Sequence, residues 1–288
     1  MEILQDLLQP LQFEFMQRAL LAVVLTGIVS GVMGAYVVTR GMAFMGDALA
    51  HSVLPGVAVA FLSYGQDAAL IGGLAAGVAS ALGIGFLTRR ERLAEDTAIG
   101  IIFAGMLALG IGIISKADSF AADLTHILVG NVLAVSADDL RLMGAIGLLV
   151  LAAIARLYRQ FLVISFDPTL AQTLRLPAER LRIILLVLLA VTIVIGVQAV
   201  GVALVAAMLV TPAATARFFT RRLHIMMLLS AAISVFSGVA GLYIAWYQDV
   251  APSAAIVLTM TALFLLAFLF APGKGYLWAL LGRSAQAA

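Results

Sequence analysis

Long apolar runs alternate with short polar stretches along nearly the whole chain. A helix needs roughly 20 consecutive apolar residues to cross a bilayer. The runs that approach this length are 18–39, 42–63, 67–87, 97–115, 141–158, 182–199, 201–219, 224–247 and 252–271. The pattern predicts an all-α, polytopic membrane helix bundle of about nine transmembrane helices. Eight helices is the alternative, because the boundary near Gly196–Gly201 is weakly marked.

The composition requires lipid as the solvent for much of the surface. Of 288 residues, 64% are hydrophobic and 11% are charged, and the mean hydropathy is +1.13. A soluble domain is about half apolar and about a quarter charged, so this surplus cannot be hidden in one water-soluble core. We therefore expect residues 1–288 to form a single transmembrane domain. The chain has no cysteine, which excludes disulfides, thiolate metal ligands and a cysteine nucleophile.

The distribution of Lys and Arg predicts the orientation of the helices. With the N-terminus outside, 14 of the 17 basic residues fall in the inner loops. Because basic loops stay in the cytoplasm, this predicts that the N-terminus lies outside and the C-terminus inside. The basic residues lie in short loops between apolar runs, so the pI of about 9.1 reflects topology and not nucleic-acid binding.

Segment 116–140 is too polar to span the bilayer, and we expect an extracytoplasmic interfacial element there. It contains Asp123 and His126, which are three residues apart and can share one face of a helix. Two interpretations stay open for this pair: an access or gating role, and the packing of an ordinary interfacial helix.

Region 160–181 is predicted to hold a short amphipathic helix on the inner face of the membrane. Asp167 is placed to cap its N-terminus, and Pro168 suits its first position. Leu170 and Leu174 then share a face, and Pro177 is expected to stop the helix. The element is either an ordinary interfacial helix or a docking element for a cytoplasmic partner, with Phe166 just before it.

Asp47 and His51 are the candidate site residues of the second run, since most of the other runs are free of charge. A charged residue in mid-membrane costs about 2.5–3.5 kcal/mol and usually faces a cavity or a partner. At i and i+4 the two side chains occupy one helix face, where a carboxylate oxygen and an imidazole nitrogen can converge. Both are ligands for manganese, iron or zinc. The alternative is an Asp–His hydrogen bond that fixes helix packing.

Two ligands are too few for a metal cage, and a two-fold dimer would supply two Asp and two His from one motif. Pro55 lacks the N–H that would bond the carbonyl of His51, so the helix can kink there, as a gate or as a packing feature. Pro212 predicts a similar kink in the seventh run, and ordinary helix packing explains it equally well.

No phosphate-binding G-x-x-x-x-G-K-[ST] motif occurs, so we expect no bound nucleotide and no ATPase activity in this chain. A proton-coupled secondary transporter with Asp47 and His51 as a relay is one rival interpretation. A membrane enzyme with a bound metal is another, but it needs a second carboxylate at depth that the sequence does not supply.

The sequence resembles the permease subunits of ATP-binding-cassette (ABC) importers for manganese, zinc and iron. The segments that carry the resemblance are RGMAFMGDALAHSVLPGVA (40–58), DTAIGIIFAGMLALGI (96–111), DLTHILVGNVLAVS (123–136), FDPTLAQTLRLP (166–177), VGVALVAAMLVTPAATA (200–216) and SGVAGLYIAWYQDVAPSAAIVL (237–258). The form HSVLPG favours the manganese branch over the zinc and iron branches.

The resemblance implies a permease that pairs with a second copy of itself in the lipid bilayer of the bacterial plasma (inner) membrane. It also implies cytoplasmic ATP-binding subunits and an extracytoplasmic metal-binding protein as partners. In such a permease, 166–177 would be the coupling helix that docks on the ATPase. Asp47 and His51 would line the path of the transported Mn²⁺, Zn²⁺ or Fe²⁺ at the dimer axis.

Overall fold

The structure, a computed structural model, describes residues 9–65, 68–89, 93–116, 132–271 and 276. Every regular element in these ranges is helical. The α-helices are α1 (Glu14–Thr39), α2 (Met45–Ser52), α3 (Leu54–Tyr64), α4 (Ala69–Leu87), α5 (Glu95–Ile114), α6 (Ala137–Phe166), α7 (Pro168–Thr173), α8 (Ala178–Val200), α9 (Val202–Phe219), α10 (Leu223–Gln248) and α11 (Pro252–Phe270).

Nine stretches within the described ranges are long and apolar enough to cross a membrane, which confirms the predicted helical bundle. Helices α2 and α3 together form the second of them. The weakly marked boundary near Gly196–Gly201 lies at Gly201, which separates α8 from α9 and has a φ of 88°. Such a positive φ is open to glycine at no steric cost.

Helix α6 is much longer than the predicted run 141–158, since it extends from Ala137 to Phe166. Its N-terminal end starts early because Ser136 and Asp139 form a reciprocal capping box. Its C-terminal end continues past the apolar run because Arg and Gln are good helix formers that hydropathy does not register. The helix therefore includes the first residues of region 160–181 and ends at Phe166, just before Asp167.

Helix α1 lies at the centre of the bundle and packs against α10, α9 and α6. Glycines make this packing close. A Cβ added at Gly34 would lie 1.9 Å from the carbonyl oxygen of Leu209 in α9, and one at Gly31 would lie 2.6 Å from the backbone of Ala231 in α10. Because lipid is as apolar as the side chains, such backbone contact is what holds membrane helices together.

A tight turn leads from α1 into the candidate site. Gly41 has a φ of 74°, the Met42 N–H donates to the Val37 carbonyl, and the Gly41 N–H donates to the Val38 carbonyl. This is the double hydrogen bond of a Schellman motif, which ends the helix and redirects the chain. The turn brings α2 back against the bundle directly after α1.

The predicted amphipathic helix is present as α7. Asp167 caps it, because its Oδ1 accepts a hydrogen bond from the Leu170 N–H at 2.9 Å. Its end differs from the prediction. Arg175, with a φ of 51°, closes a second Schellman turn, so α7 ends at Thr173, and Pro177 instead precedes α8.

Candidate metal site

Asp47 and His51 lie in the first and last turns of α2, on one face of the helix. The Nε2 atom of His51 is 3.6 Å from Oδ1 of Asp47. Two ligands of one metal ion, each at about 2.1 Å, lie about 3.0–3.5 Å apart in cis-octahedral or tetrahedral geometry. The observed separation is close to that range and is too long for a hydrogen bond between the two side chains.

The opposite face of α2 holds the helix in place. The residues of α2 other than Asp47 and His51 are buried: Met45, Gly46, Ala48, Leu49, Ala50 and Ser52. Gly46 faces α9 closely, since a Cβ there would lie 2.8 Å from Cδ2 of Leu209. The Asp47 and His51 side chains remain 45% and 30% exposed. The pair is thus presented at the surface of the protomer by a helix that is otherwise buried.

An aromatic pair lies beside the imidazole. The ring of Phe103 in α5 meets His51 edge to face, with ring centroids 5.9 Å apart. Phe103 also meets Phe44, one turn before Asp47, at 5.8 Å. Sequence reasoning did not single out Phe103, because an aromatic residue in an apolar run carries no signal of the partner it will have.

The described part of the protomer supplies no complete metal cage. It holds no group of three or more His, Cys, Asp or Glu side chains that could bind one ion. The Nδ1 atom of His51 is buried without a hydrogen-bond partner. The site therefore has one carboxylate and one imidazole per protomer, and Nε2 is the nitrogen that can share an ion with Asp47.

The helix is interrupted directly after this pair. Helix α2 ends at Ser52, Val53 separates the two helices, and Pro55 lies in the first turn of α3. The carbonyl of His51 accepts a bond from the Val53 N–H instead of a helical bond from position 55. Proline has no N–H to donate, which is the physical reason for the interruption.

Pro212 lies inside α9, which stays a single helix. The hydroxyl of Thr215 donates to the Thr211 carbonyl at 2.8 Å.

Asp123 and His126, the second candidate pair, lie outside the described residues.

A charge cluster joins four helix ends near the start of α5, and sequence reasoning missed it. Glu95 Oε1 lies 3.4 Å from Arg40 Nη2 and 3.4 Å from Arg182 Nη1. Burial lowers the pKa of Arg40 from its ordinary value, the neighbouring Arg182 lowers it further, and Glu95 opposes both. Arg40 and Arg182 lie 55 and 87 positions from Glu95 in the sequence, so their spacing gives no sign that they form ion pairs.

The end of α6 and the short helix α7 expose apolar side chains. Phe166 is 53% exposed, Leu170 43% and Leu174 54%. Asp167, between them, is used in capping. The exposed fractions define a small apolar surface around α7, formed by Phe166, Leu170 and Leu174.

The chain is similar to transport proteins along nearly its whole length. It is 45% identical over 268 residues to the "Manganese transport system membrane protein MntC" of Listeria monocytogenes, covering 93% of this chain and 95% of the relative. It is 40% identical over 264 residues to the "Probable iron transport system membrane protein" of Haemophilus influenzae, covering 92% and 96%.

A solved structure has the same fold. The chain matches one in "PsaBC from Streptococcus pneumoniae in complex with Fab" with a TM-score of 0.83 and 38% identity, over 96% of this chain and 98% of that one. Residues 12–271 match the family described as the ABC 3 transport family. The resemblance to ABC permeases is thereby confirmed, and with nine apolar helices in the described part of the chain this multi-pass bacterial membrane protein belongs to the ABC 3 transport family.

Proposed function

We propose that this chain is the permease subunit of an ABC importer for divalent transition-metal ions, with Mn²⁺ as the favoured cargo. The observation that carries the proposal is the Asp47–His51 pair, whose ligand atoms lie 3.6 Å apart on an accessible face of a membrane helix. The names of the relatives refer to manganese and iron transport, which agrees with this donor set. A carboxylate suits Mn²⁺, and imidazole suits iron and zinc as well.

Two copies of the chain face each other through α2. The exposed fractions of 45% and 30% for Asp47 and His51 leave room for a second pair of ligands. Across a two-fold axis the motif is duplicated, so two carboxylates and two imidazoles surround the ion. The two carboxylates offset its double charge in a region of low dielectric, where an uncompensated ion is strongly disfavoured.

The energy comes from separate cytoplasmic ATP-binding subunits. The apolar surface around α7 supports this, because exposed Leu170 and Leu174 on an inner loop suit burial against a protein partner. With N outside and C inside, α7 faces the cytoplasm, and an extracytoplasmic binding protein delivers the ion on the opposite side.

The test uses isosteric variants of the ligands. Asp47→Asn and His51→Gln remove metal-binding atoms with little change of volume. We expect the metal content of the purified permease to fall to background, and ATP-dependent Mn²⁺ uptake in proteoliposomes to be lost, with dimer assembly unchanged. The matched control is Asp96→Asn, an exposed carboxylate in the first turn of α5. Normal uptake by both ligand variants would overturn the proposal.

The same proteoliposomes separate the proposal from a proton-coupled carrier. A secondary transporter takes up Mn²⁺ with this chain alone under a proton gradient, whereas an ABC permease needs the ATPase subunit and ATP. We expect no uptake by the isolated chain. Uptake without the ATPase would favour Asp47 and His51 as a proton relay instead.

A further inference from the structure

The charge cluster around Glu95 links the ends of α1, α4, α5 and α8. Besides Glu95, Arg182 of α8 donates to Oγ1 of Thr88 at 2.6 Å, to the carbonyl of Gly85 at 3.0 Å and to Glu179 at 3.2 Å. The N–H groups of the Arg182 guanidinium thus join α8 to the end of α4 and to the start of α5. A planar group with five donors is suited to hold several acceptors in one fixed geometry.

The cluster is tied directly to α7. The Schellman turn at Arg175 connects α7 to α8 through hydrogen bonds from the Leu176 N–H to the Ala171 carbonyl and from the Arg175 N–H to the Gln172 carbonyl. Glu179 lies in the first turn of α8 and Arg182 in the next one. Because the joint is short and hydrogen-bonded, a movement of α7 carries the first turns of α8 with it.

The cluster is also tied to the candidate metal site, by two routes. Glu95 starts α5, and Phe103 lies eight residues later on the same helix, about 12 Å along its axis. Phe103 touches the ring of His51. The second route is through Arg40, which is followed at once by the Gly41 turn that leads into α2.

Glu95 is the shared member of both connections. Its side chain is 30% exposed, whereas those of Arg40 and Arg182 are only 13% and 15% exposed. Two largely buried guanidinium groups therefore lie beside one carboxylate. Removing that charge leaves the two guanidinium groups side by side without a shared counter-ion, and breaking a buried ion pair in this way is strongly unfavourable.

We propose that Glu95 is a positioning residue that transmits the movement of α7 to the Asp47–His51 pair, through Arg182 on one side and through α5 with Phe103 on the other. The inference rests on the proposed function, since it assigns α7 as the coupling helix. In this arrangement, the carboxylate keeps α5 and α8 moving together when the ATPase subunits close.

The test measures metal uptake and ATP hydrolysis in the same proteoliposomes, with the complete complex of permease, ATPase and binding protein. Glu95→Gln is expected to lower the Mn²⁺ taken up per ATP hydrolysed by about tenfold, the size of a typical coupling between sites. ATP hydrolysis and the metal content of the permease stay near wild type. Glu95→Asp keeps the charge and restores the ratio to within about twofold.

Two further variants make the result decisive. Arg182→Lys keeps the charge, but its three N–H donors are fewer than the four acceptors that Arg182 holds, Glu95, Thr88, Gly85 and Glu179. We therefore expect it also to lower the Mn²⁺ taken up per ATP hydrolysed. Asp138→Asn removes a carboxylate that pairs with Arg141 at the exposed outer start of α6, and it leaves the ratio unchanged. This control separates the cluster from ion pairs in general.

A wild-type ratio in Glu95→Gln would overturn the inference. So would a parallel loss of uptake, ATP hydrolysis and thermal stability, because that is the signature of a purely structural ion pair, and so would a failure of Glu95→Asp to recover. The proposed function fails by a different result, namely normal uptake in Asp47→Asn and His51→Gln. The two outcomes are read from different variants and remain distinguishable.

Discussion

The ring of Phe103 packs edge to face on the imidazole of His51, with centroids 5.9 Å apart and an angle of 67° between the planes. The two residues come from different helices, α5 and α2. This contact restricts the orientation of the imidazole whose Nε2 lies beside Asp47. The Phe103 ring of α5 therefore helps to orient the His51 imidazole of α2.

Replacing Phe103 by alanine should weaken metal binding without removing a ligand. An edge-to-face aromatic contact contributes about 0.5–1.5 kcal/mol, so we expect the dissociation constant for Mn²⁺ to rise by about two- to tenfold. Titration calorimetry of the purified permease measures it. The control is Phe264→Ala, which removes a comparable contact with Phe218 at 5.8 Å in another part of the bundle. An equal rise of the dissociation constant in both variants would contradict a specific role of Phe103 beside His51.

The dimer axis can be tested with a single cysteine, because the natural chain has none. Phe44 is 48% exposed and lies one turn before Asp47. If two copies meet through the Asp47–His51 face, Phe44→Cys should give a covalent dimer in membranes treated with a short bis-maleimide. Phe86→Cys in α4, 71% exposed, is the control and should stay monomeric on a denaturing gel. Cross-linking of the control but not of Phe44→Cys would place the axis elsewhere.

Helices α3 and α4 pack so closely at Gly56 and Gly72 that an added methyl group at Gly72 should destabilise the bundle. A Cβ at Gly72 in α4 would lie 2.1 Å from the carbonyl oxygen of Gly56 in α3. We expect Gly72→Ala to lower the free energy of unfolding by about 1–3 kcal/mol, since the backbones must separate. Gly144→Ala in α6 meets nothing within 4 Å and serves as the control. Thermal unfolding in detergent compares them, and an equally stable Gly72→Ala would show that α3 and α4 can move apart freely.

The apolar surface around α7 should be needed for ATPase binding and not for metal binding. Leu170→Ser with Leu174→Ser removes the two exposed leucines of this surface. Buried interface side chains of this kind contribute about 1–2 kcal/mol each, so the affinity for the ATPase subunit should fall by at least tenfold. Co-purification and ATP-dependent uptake report the loss, while metal content stays unchanged. Gln172→Ala, between the two leucines, controls for a general disturbance of α7, and equal loss there would argue against the apolar contact.

Local features of the fold were predictable from the sequence because they depend on neighbours along the chain. The apolar runs predict nine spans, and the i, i+4 spacing puts Asp47 and His51 on one face. Asp167 was recognisable as a cap for the same reason. The ends of α6 were not predictable from hydropathy, because hydropathy marks the membrane interior whereas hydrogen bonding and caps decide where a helix ends.

The order of residues along the chain is enough to identify a membrane bundle in which Asp47 and His51 share one span. Both conclusions follow from the length of the apolar runs and from the cost of a charge in lipid. The contact of Phe103 with His51 becomes visible only when the helices are packed together. The same holds for Glu95, which joins Arg40 and Arg182 from 55 and 87 positions away. Such pairings depend on how glycine contacts and helix ends set the packing of whole helices, and the order of residues along one helix does not encode them.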